Sequence, residues 1–269
     1  MKKSFFINLK EQGEAKKSRL CIGLDIDFDL FPDRLSKTIS GAFDFLREII
    51  DSTHEICLAY KLNMAFFEQF GYKGYQLMEK TVEYIDNRSI TICDGKRGDI
   101  GNSSKKYAKS IFDQIGFDSA TISPYMGTDS ITPFIEKPEF GVFVLCLTSN
   151  SGANDFQRIQ IGSRPMYLSV LDIINKLNNN NIGIVVGATQ KEDMKIIREN
   201  SPSTSWLIPG IGKQGGNLEK SIQFGNQNGA CGLISISRDI LFYNNSSEED
   251  IFLRANFYHK KIKDFLYEE

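Results

Sequence analysis

Asp94, Lys96 and Asp99 stand together in one stretch, Cys93-Asp94-Gly95-Lys96-Arg97-Gly98-Asp99-Ile100-Gly101-Asn102, where an apolar run ends. That position reads as the C-terminal tip of a strand entering a loop. A strand turns every second side chain to the same face, so Asp94 and Lys96 share a face. Asp99 follows a glycine where the chain turns and need not keep to it. Charges of alternating sign are costly to bury unless each is paired. Grouping them at a strand tip suits a site that works on charge, more than it suits a fold that only needs stability.

The elements that must position these groups can be read from the apolar pattern. Short buried segments at 20–25, 57–63, 89–93, 119–123, 141–147, 182–187, 206–209 and 232–238 read as strands. Helical spacing or composition marks 1–18, 35–56, 67–85, 104–115, 132–137, 166–177, 191–200, 218–225 and 248–269 between and around them. The stretch 148–165 is polar and long for a barrel connection, which makes it a candidate functional loop, and 178–181 reads as a surface connection. Alternating strands and helices without a linker predict an α/β fold, a (β/α)8 TIM barrel, as one domain over residues 1–269 with residues 1–18 as an N-terminal helical extension. A doubly wound open sheet fits less well, because the glycines after the first strand lack the G-x-G-x-x-G order.

In a barrel of this kind active residues gather at the C-terminal ends of the strands. Asp25, Lys61, Asp94, Lys96, Thr148, Ser149, Gln214 and Arg238 all fall there and would converge on one mouth. The glycine-rich run 210–216 behind the seventh strand, with Ser237 and Arg238 after the eighth, has the place and composition of a phosphate cradle.

Composition narrows the class. The chain has 269 residues, 41% of them hydrophobic and 25% charged, as in ordinary globular proteins. A net charge of −2 gives no electrostatic reason to expect nucleic acid or an anionic membrane. The apolar run near the start is too short for a signal peptide, and no run approaches a membrane span, so a cytoplasmic protein is expected. The five cysteines form no C-x-x-C pair and lie in or beside strands, as buried reduced thiols would. The two histidines fall in helical segments, which disfavours a Ser-His-Asp mechanism, and no cluster has metal-ligand spacing.

The stretch from Asp94 to Asn102 resembles the D-x-K-x-x-D signature of the orotidine 5'-monophosphate decarboxylase family, in particular the branch in which it reads DAKRGDIGNT. Gly23-Leu24-Asp25, Tyr60-Lys61-Leu62-Asn63, Pro124-Tyr125-Met126-Gly127, Thr148-Ser149-Asn150, Pro209 to Gly216 and Ser237-Arg238 match in the family's order over nearly the whole chain. The resemblance implies decarboxylation of orotidine 5'-monophosphate to uridine 5'-monophosphate and CO2 in pyrimidine biosynthesis, with no metal and no organic cofactor. It implies a homodimer in which Lys61, Asp94 and Lys96 are joined by Asp99 of the partner subunit, with Lys96 protonating C6. By the same resemblance Asp25 and Lys61 would hold ribose hydroxyls, with help from Ser103 of the partner subunit. Thr148 or Ser149 would read the pyrimidine edge, Gln214 and Arg238 would hold phosphate, and Asn63, Ile100 and Ser237 complete the substrate-binding set.

The chain departs from the family pattern at Gly95, Ser103, Ser123 and Asp239, none of which removes a catalytic group; the charge of Asp239 would need to face away from the phosphate. Two rivals are a metal-dependent sugar-phosphate enzyme of the same barrel group and a silent nucleotide-binding barrel.

Overall fold

The computed structural model describes residues 3–177 and 179–268. Met1, Lys2, Asn178 and Glu269, which belong to the expected N-terminal extension, surface connection and closing helix, lie outside the described residues. Parallel strands close into a barrel in chain order: β1 (Leu20–Gly23), β2 (Ala59–Asn63), β3 (Ile90–Arg97), β4 (Ser119–Ile122), β5 (Gly141–Leu147), β6 (Ile182–Val186), β7 (Trp206–Pro209) and β8 (Gly232–Ile236). This is the (β/α)8 barrel that the alternation of segments predicts.

Two cores follow from the period-two alternation of each strand. One set of side chains, including Ile22, Tyr60, Leu62 and Cys93, packs outward with the helices. The other forms the barrel floor, where Ile90, Ile92, Phe143, Val185, Leu207 and Leu233 cluster with Phe5 and Leu9 of the helix Phe5–Ala15. That helix closes the N-terminal end of the barrel. Phe5 N–H donates to Pro138 O at 2.9 Å, and the Phe5 and Phe6 rings meet Phe143 edge-on with centroids 6.3 and 5.5 Å away. Burying a phenylalanine here contributes about 1.5–3 kcal/mol. The polar-faced helix predicted over 1–18 is therefore shorter, and its apolar side is a plug.

Above the floor the same inward faces turn polar. On β3 the series runs Ile90, Ile92, Asp94, Lys96; on β2 it runs Ala59, Lys61, Asn63. The register sets Asn63 beside Asp94 and Lys61 beside Ile92. Period two thus carries these two strands from an apolar base to a charged mouth.

Several boundaries differ from the sequence expectations. β3 continues to Arg97 instead of ending at Cys93, because Lys96 N–H donates to Thr121 Oγ1 at 2.9 Å and Lys96 takes φ 46° across an irregularity in the β3–β4 ladder. The eighth strand ends at Ile236, and Arg238 opens the short helix Arg238–Leu241. The helix expected over 67–85 is split into Ala65–Glu68 and Tyr72–Ile85 by Gly71, whose φ of 59° no helix admits. The short helix expected over 132–137 is instead two 3-10 turns, Thr128–Ser130 and Thr132–Phe134. The candidate loop at 148–165 folds into a helical turn, Ala153–Phe156, and an antiparallel hairpin of Gln160–Ile161 with Arg164–Pro165.

Candidate active site

The charged array lies at the mouth of the barrel. Lys61 Nζ donates to Asp94 Oδ2 at 3.1 Å and lies 3.8 Å from Asp25 Oδ1. Lys96 Nζ donates to the other oxygen, Asp94 Oδ1, at 2.7 Å, and that oxygen also accepts from Thr121 Oγ1 at 2.9 Å. Lys61 and Asp94 are only 6% and 9% exposed, whereas the side chain of Lys96 keeps 47% of its surface. Two members of the array are thus walled in and the third faces the open cavity.

Burial alone would push Asp94 up, but Lys61 and Lys96, with the hydrogen bonds from Lys96 and Thr121, hold its carboxyl well below the usual carboxylate range. Burial would likewise lower Lys61, and the carboxylates of Asp25 and Asp94 reverse it, raising its pKa above the ordinary lysine value. The buried pair is therefore locked in its ionised form.

A cavity of about 690 Å³ opens over this array. Of the residues singled out from sequence, Asp25, Lys61, Asn63, Asp94, Lys96, Thr148, Ser149, Gln214, Ser237 and Arg238 line it. Asp25 Oδ1 and Ser237 Oγ are buried there without a hydrogen-bond partner, as groups awaiting a ligand's hydroxyl or phosphate would be. In the loop after β7, Gly215 N–H and Gly216 N–H donate within the loop, to Gly212 O at 2.9 Å and Gly210 O at 3.0 Å. Lys213, Gln214, Ser237 and Arg238 bring side-chain donors to this end. Asp239 also reaches the cavity, but its Oδ2 accepts from Arg254 Nη2 at 2.6 Å, Arg254 Nε at 2.9 Å and Tyr258 Oη at 2.5 Å. Its charge is drawn toward the closing helix Glu248–Tyr267.

Asp99, Ile100 and Ser103 do not join the cavity of their own chain. Asp99 Oδ1 accepts from Ile100 N–H at 2.7 Å, Ile100 is 50% exposed, and Ser103 is exposed on the helix Gly101–Ala108. The two histidines are remote, His54 capping the helix Ile39–Thr53 and His259 buried in the closing helix. All five cysteines are free and buried, and among the described residues no group of histidine, cysteine or acidic side chains could hold a metal ion. No helix among them is long and apolar enough to cross a membrane.

Two residues went unnoticed in the sequence. Thr121 joins Asp94 to the backbone of Lys96; a polar residue two places after Ser119 on an inward strand face was its only mark. Gln157 lines the cavity from the 148–165 segment, and no periodicity there points inward.

The chain is similar to known proteins in both sequence and fold. A sequence model of the "Orotidine 5'-phosphate decarboxylase / HUMPS family" matches residues 18–249. A protein of Dehalococcoides mccartyi (strain CBDB1) named orotidine 5'-phosphate decarboxylase is 46% identical, with 91% of each chain covered. Among solved structures, that of Leishmania donovani OMP decarboxylase superposes with a TM-score of 0.86 at 36% identity, covering 97% of this chain and 98% of the other. The Leishmania donovani UMP synthase structure matches with a TM-score of 0.88 at 37% identity; 98% of this chain is covered, but it spans only 56% of that longer chain.

Proposed function

The chain belongs to the orotidine 5'-phosphate decarboxylase / HUMPS family, and from that membership we propose that it converts orotidine 5'-monophosphate to uridine 5'-monophosphate and CO2. The observation that carries this reading is the Lys61–Asp94–Lys96 array, buried at one end and open to the cavity at the other.

Loss of CO2 breaks the bond from C6 to the carboxylate carbon and leaves the electron pair on a ring carbon with no attached sink. The protein must supply the stabilising charge. The Lys96 ammonium faces the cavity and gives its proton to C6, ending as a neutral amine. Asp94 aims that ammonium and would lie beside the substrate's carboxylate, while Lys61 and Thr121 fix Asp94 in turn. Charges preset in a site closed to water stabilise such an anion more than water can. Asp25 and Lys61, which line the cavity, would hold ribose hydroxyls, with Asn63 alongside; Gln214, Ser237 and Arg238 would hold phosphate.

The Lys61 ammonium already lies between Asp25 and Asp94, where a divalent cation would have to compete, which supports the decarboxylase over a metal-dependent sugar-phosphate enzyme of the same family. Asp99, Ile100 and Ser103 are free to serve a second copy of the chain, completing its array across a homodimer. Tyr125 and Met126, exposed in the loop after the adjacent β4, offer apolar surface for that contact. Five buried free thiols fit a cytoplasmic location.

The test is to give chelator-treated protein orotidine 5'-monophosphate and follow the loss of orotate absorbance, with Lys96→Ala as control. Turnover by the wild type alone is expected. No turnover by the wild type would sink the reading, and activity only with magnesium and a sugar phosphate would favour the metal-dependent branch.

A further inference from the structure

All the polar groups of Thr148 are engaged by other side chains. Its N–H donates to Gln157 Oε1 at 2.7 Å, and its carbonyl accepts from Gln190 Nε2 at 2.8 Å. Its hydroxyl donates to Asn150 Oδ1 at 2.6 Å and accepts from Gln157 Nε2 at 2.9 Å. The next residue is fixed from the other side. Ser149 O accepts from Thr189 Oγ1 at 3.0 Å, and a Cβ on Gly187 would come within 2.5 Å of Ser149 N, so only glycine lets the two segments approach. The Ser149 side chain points the other way, into the cavity toward Gly210 and Gln214. Of the two hydroxyls that could meet a pyrimidine, that of Thr148 is spent inside the chain and that of Ser149 is presented.

Both glutamines are themselves anchored. Gln157 N–H donates to Ala153 O at 2.9 Å, and its carbonyl accepts from Tyr167 N–H at 2.9 Å. Gln190 Oε1 accepts from Arg158 Nη2 at 2.7 Å; Arg158 pairs with Asp193 at 2.5 Å, and Asp193 Oδ1 accepts from Tyr167 Oη at 2.9 Å. The network ties the 148–165 segment to the loop after β6 and clamps one peptide on both sides. Ordering so many side chains costs entropy, and a surface loop gains little from it unless the clamped residue must not move.

We propose that Gln157 and Gln190 are positioning residues that hold the Thr148–Ser149 peptide so that the Ser149 hydroxyl meets the donor–acceptor edge of the substrate's pyrimidine. This rests on the decarboxylase reading above. A hydroxyl both donates and accepts, so it suits an imide edge, but only if its backbone is fixed to within a fraction of an ångström. The glutamines touch no reacting atom and act through Ser149.

The experiment compares wild type with Gln157→Met and Gln190→Met, which keep side-chain bulk and remove the hydrogen bonds. Binding of uridine 5'-monophosphate is measured beside binding of ribose 5-phosphate, which lacks the base, together with kcat and KM for orotidine 5'-monophosphate. Uridine 5'-monophosphate affinity and kcat/KM should fall by roughly tenfold in each variant, while ribose 5-phosphate affinity stays within about twofold. Equal weakening of both ligands would overturn the proposal in favour of a general structural role, and so would no weakening of either. Gln190 touches Thr148 only at its carbonyl and lies outside the cavity lining, so Gln190→Met carries the test should Gln157→Met fail to fold. If the wild type neither turns over the substrate nor binds either ligand, the decarboxylase reading itself fails. A fault confined to the variants fails only this inference.

Discussion

Lys61 Nζ and Asp94 Oδ2 lie 3.1 Å apart on neighbouring strands, and almost no water reaches either. Lys96 completes the same carboxylate from the open side. The two lysines should therefore respond differently to removal. Lys61→Met strips Asp94 of its buried partner and should cost about 3–5 kcal/mol of stability as well as activity. Lys96→Met leaves the buried pair intact and should cost less than about 1 kcal/mol, yet lower kcat by roughly 10³-fold or more. Urea denaturation and steady-state kinetics on the same preparations check both. Equal destabilisation by the two variants would contradict the division into a walled-in pair and an exposed acid.

Asp99, Ile100 and Ser103 lie outside the cavity of their own chain, so the shared-site reading makes a prediction about mixtures. Lys96→Ala and Asp99→Ala should each be inactive alone. A hybrid dimer of the two has one site with both changes and one site with neither. Mixed in equal amounts and allowed to exchange, they should recover about a quarter of wild-type activity, since about half the dimers are hybrids with one intact site. An inactive mixture in which exchange is shown by mass would mean that Asp99 does not serve a neighbouring chain.

Asp239 stands at the end of the cavity proposed for phosphate, with its charge held by Arg254 and Tyr258. Arg254→Met should free that carboxylate to repel the phosphate and raise KM for the substrate by roughly 3- to 10-fold, with kcat little changed. Adding Asp239→Asn should bring KM back down. A KM that stays high in the double variant would show that Arg254 acts through packing of the closing helix and not through the charge.

How much of this was legible in the sequence depended on the range of the forces involved. The barrel and the shared face of Asp94 and Lys96 follow from periodicity along single segments, which one chain displays directly. The extension of β3 to Arg97 does not, because it is stabilised by Thr121 on the next strand, more than twenty residues away, and local composition holds no trace of that pairing. The split at Gly71 was visible as a residue type but not as a break, since a glycine inside a helical pattern is often tolerated. Thr148 and Ser149 were equivalent in sequence. They separate only once Gln157 and Gln190 fold back upon the first of them, and the hairpin and helical turn that aim Gln157 have no repeating pattern to read.

His259 sets an expectation for acid stability. It is buried on the closing helix, and burial, reinforced by the nearby charge of Lys263, lowers its pKa from the ordinary 6.5, with Asp264 opposing. An unfolded chain binds a proton at this histidine near the ordinary value, whereas the folded chain resists it until the pH is lower. The unfolded state then holds more protons between the two values, so stability is complete above about pH 6.5 and declines as the pH drops toward the folded-state pKa. His259→Gln removes the titrating group and should flatten that part of the profile, while Asp94, titrating far lower in the folded state, leaves this window unchanged. Urea midpoints between pH 5 and 8 would show it as a gap between the two proteins that narrows as the pH falls. A parallel decline in both would assign the acid sensitivity to other groups.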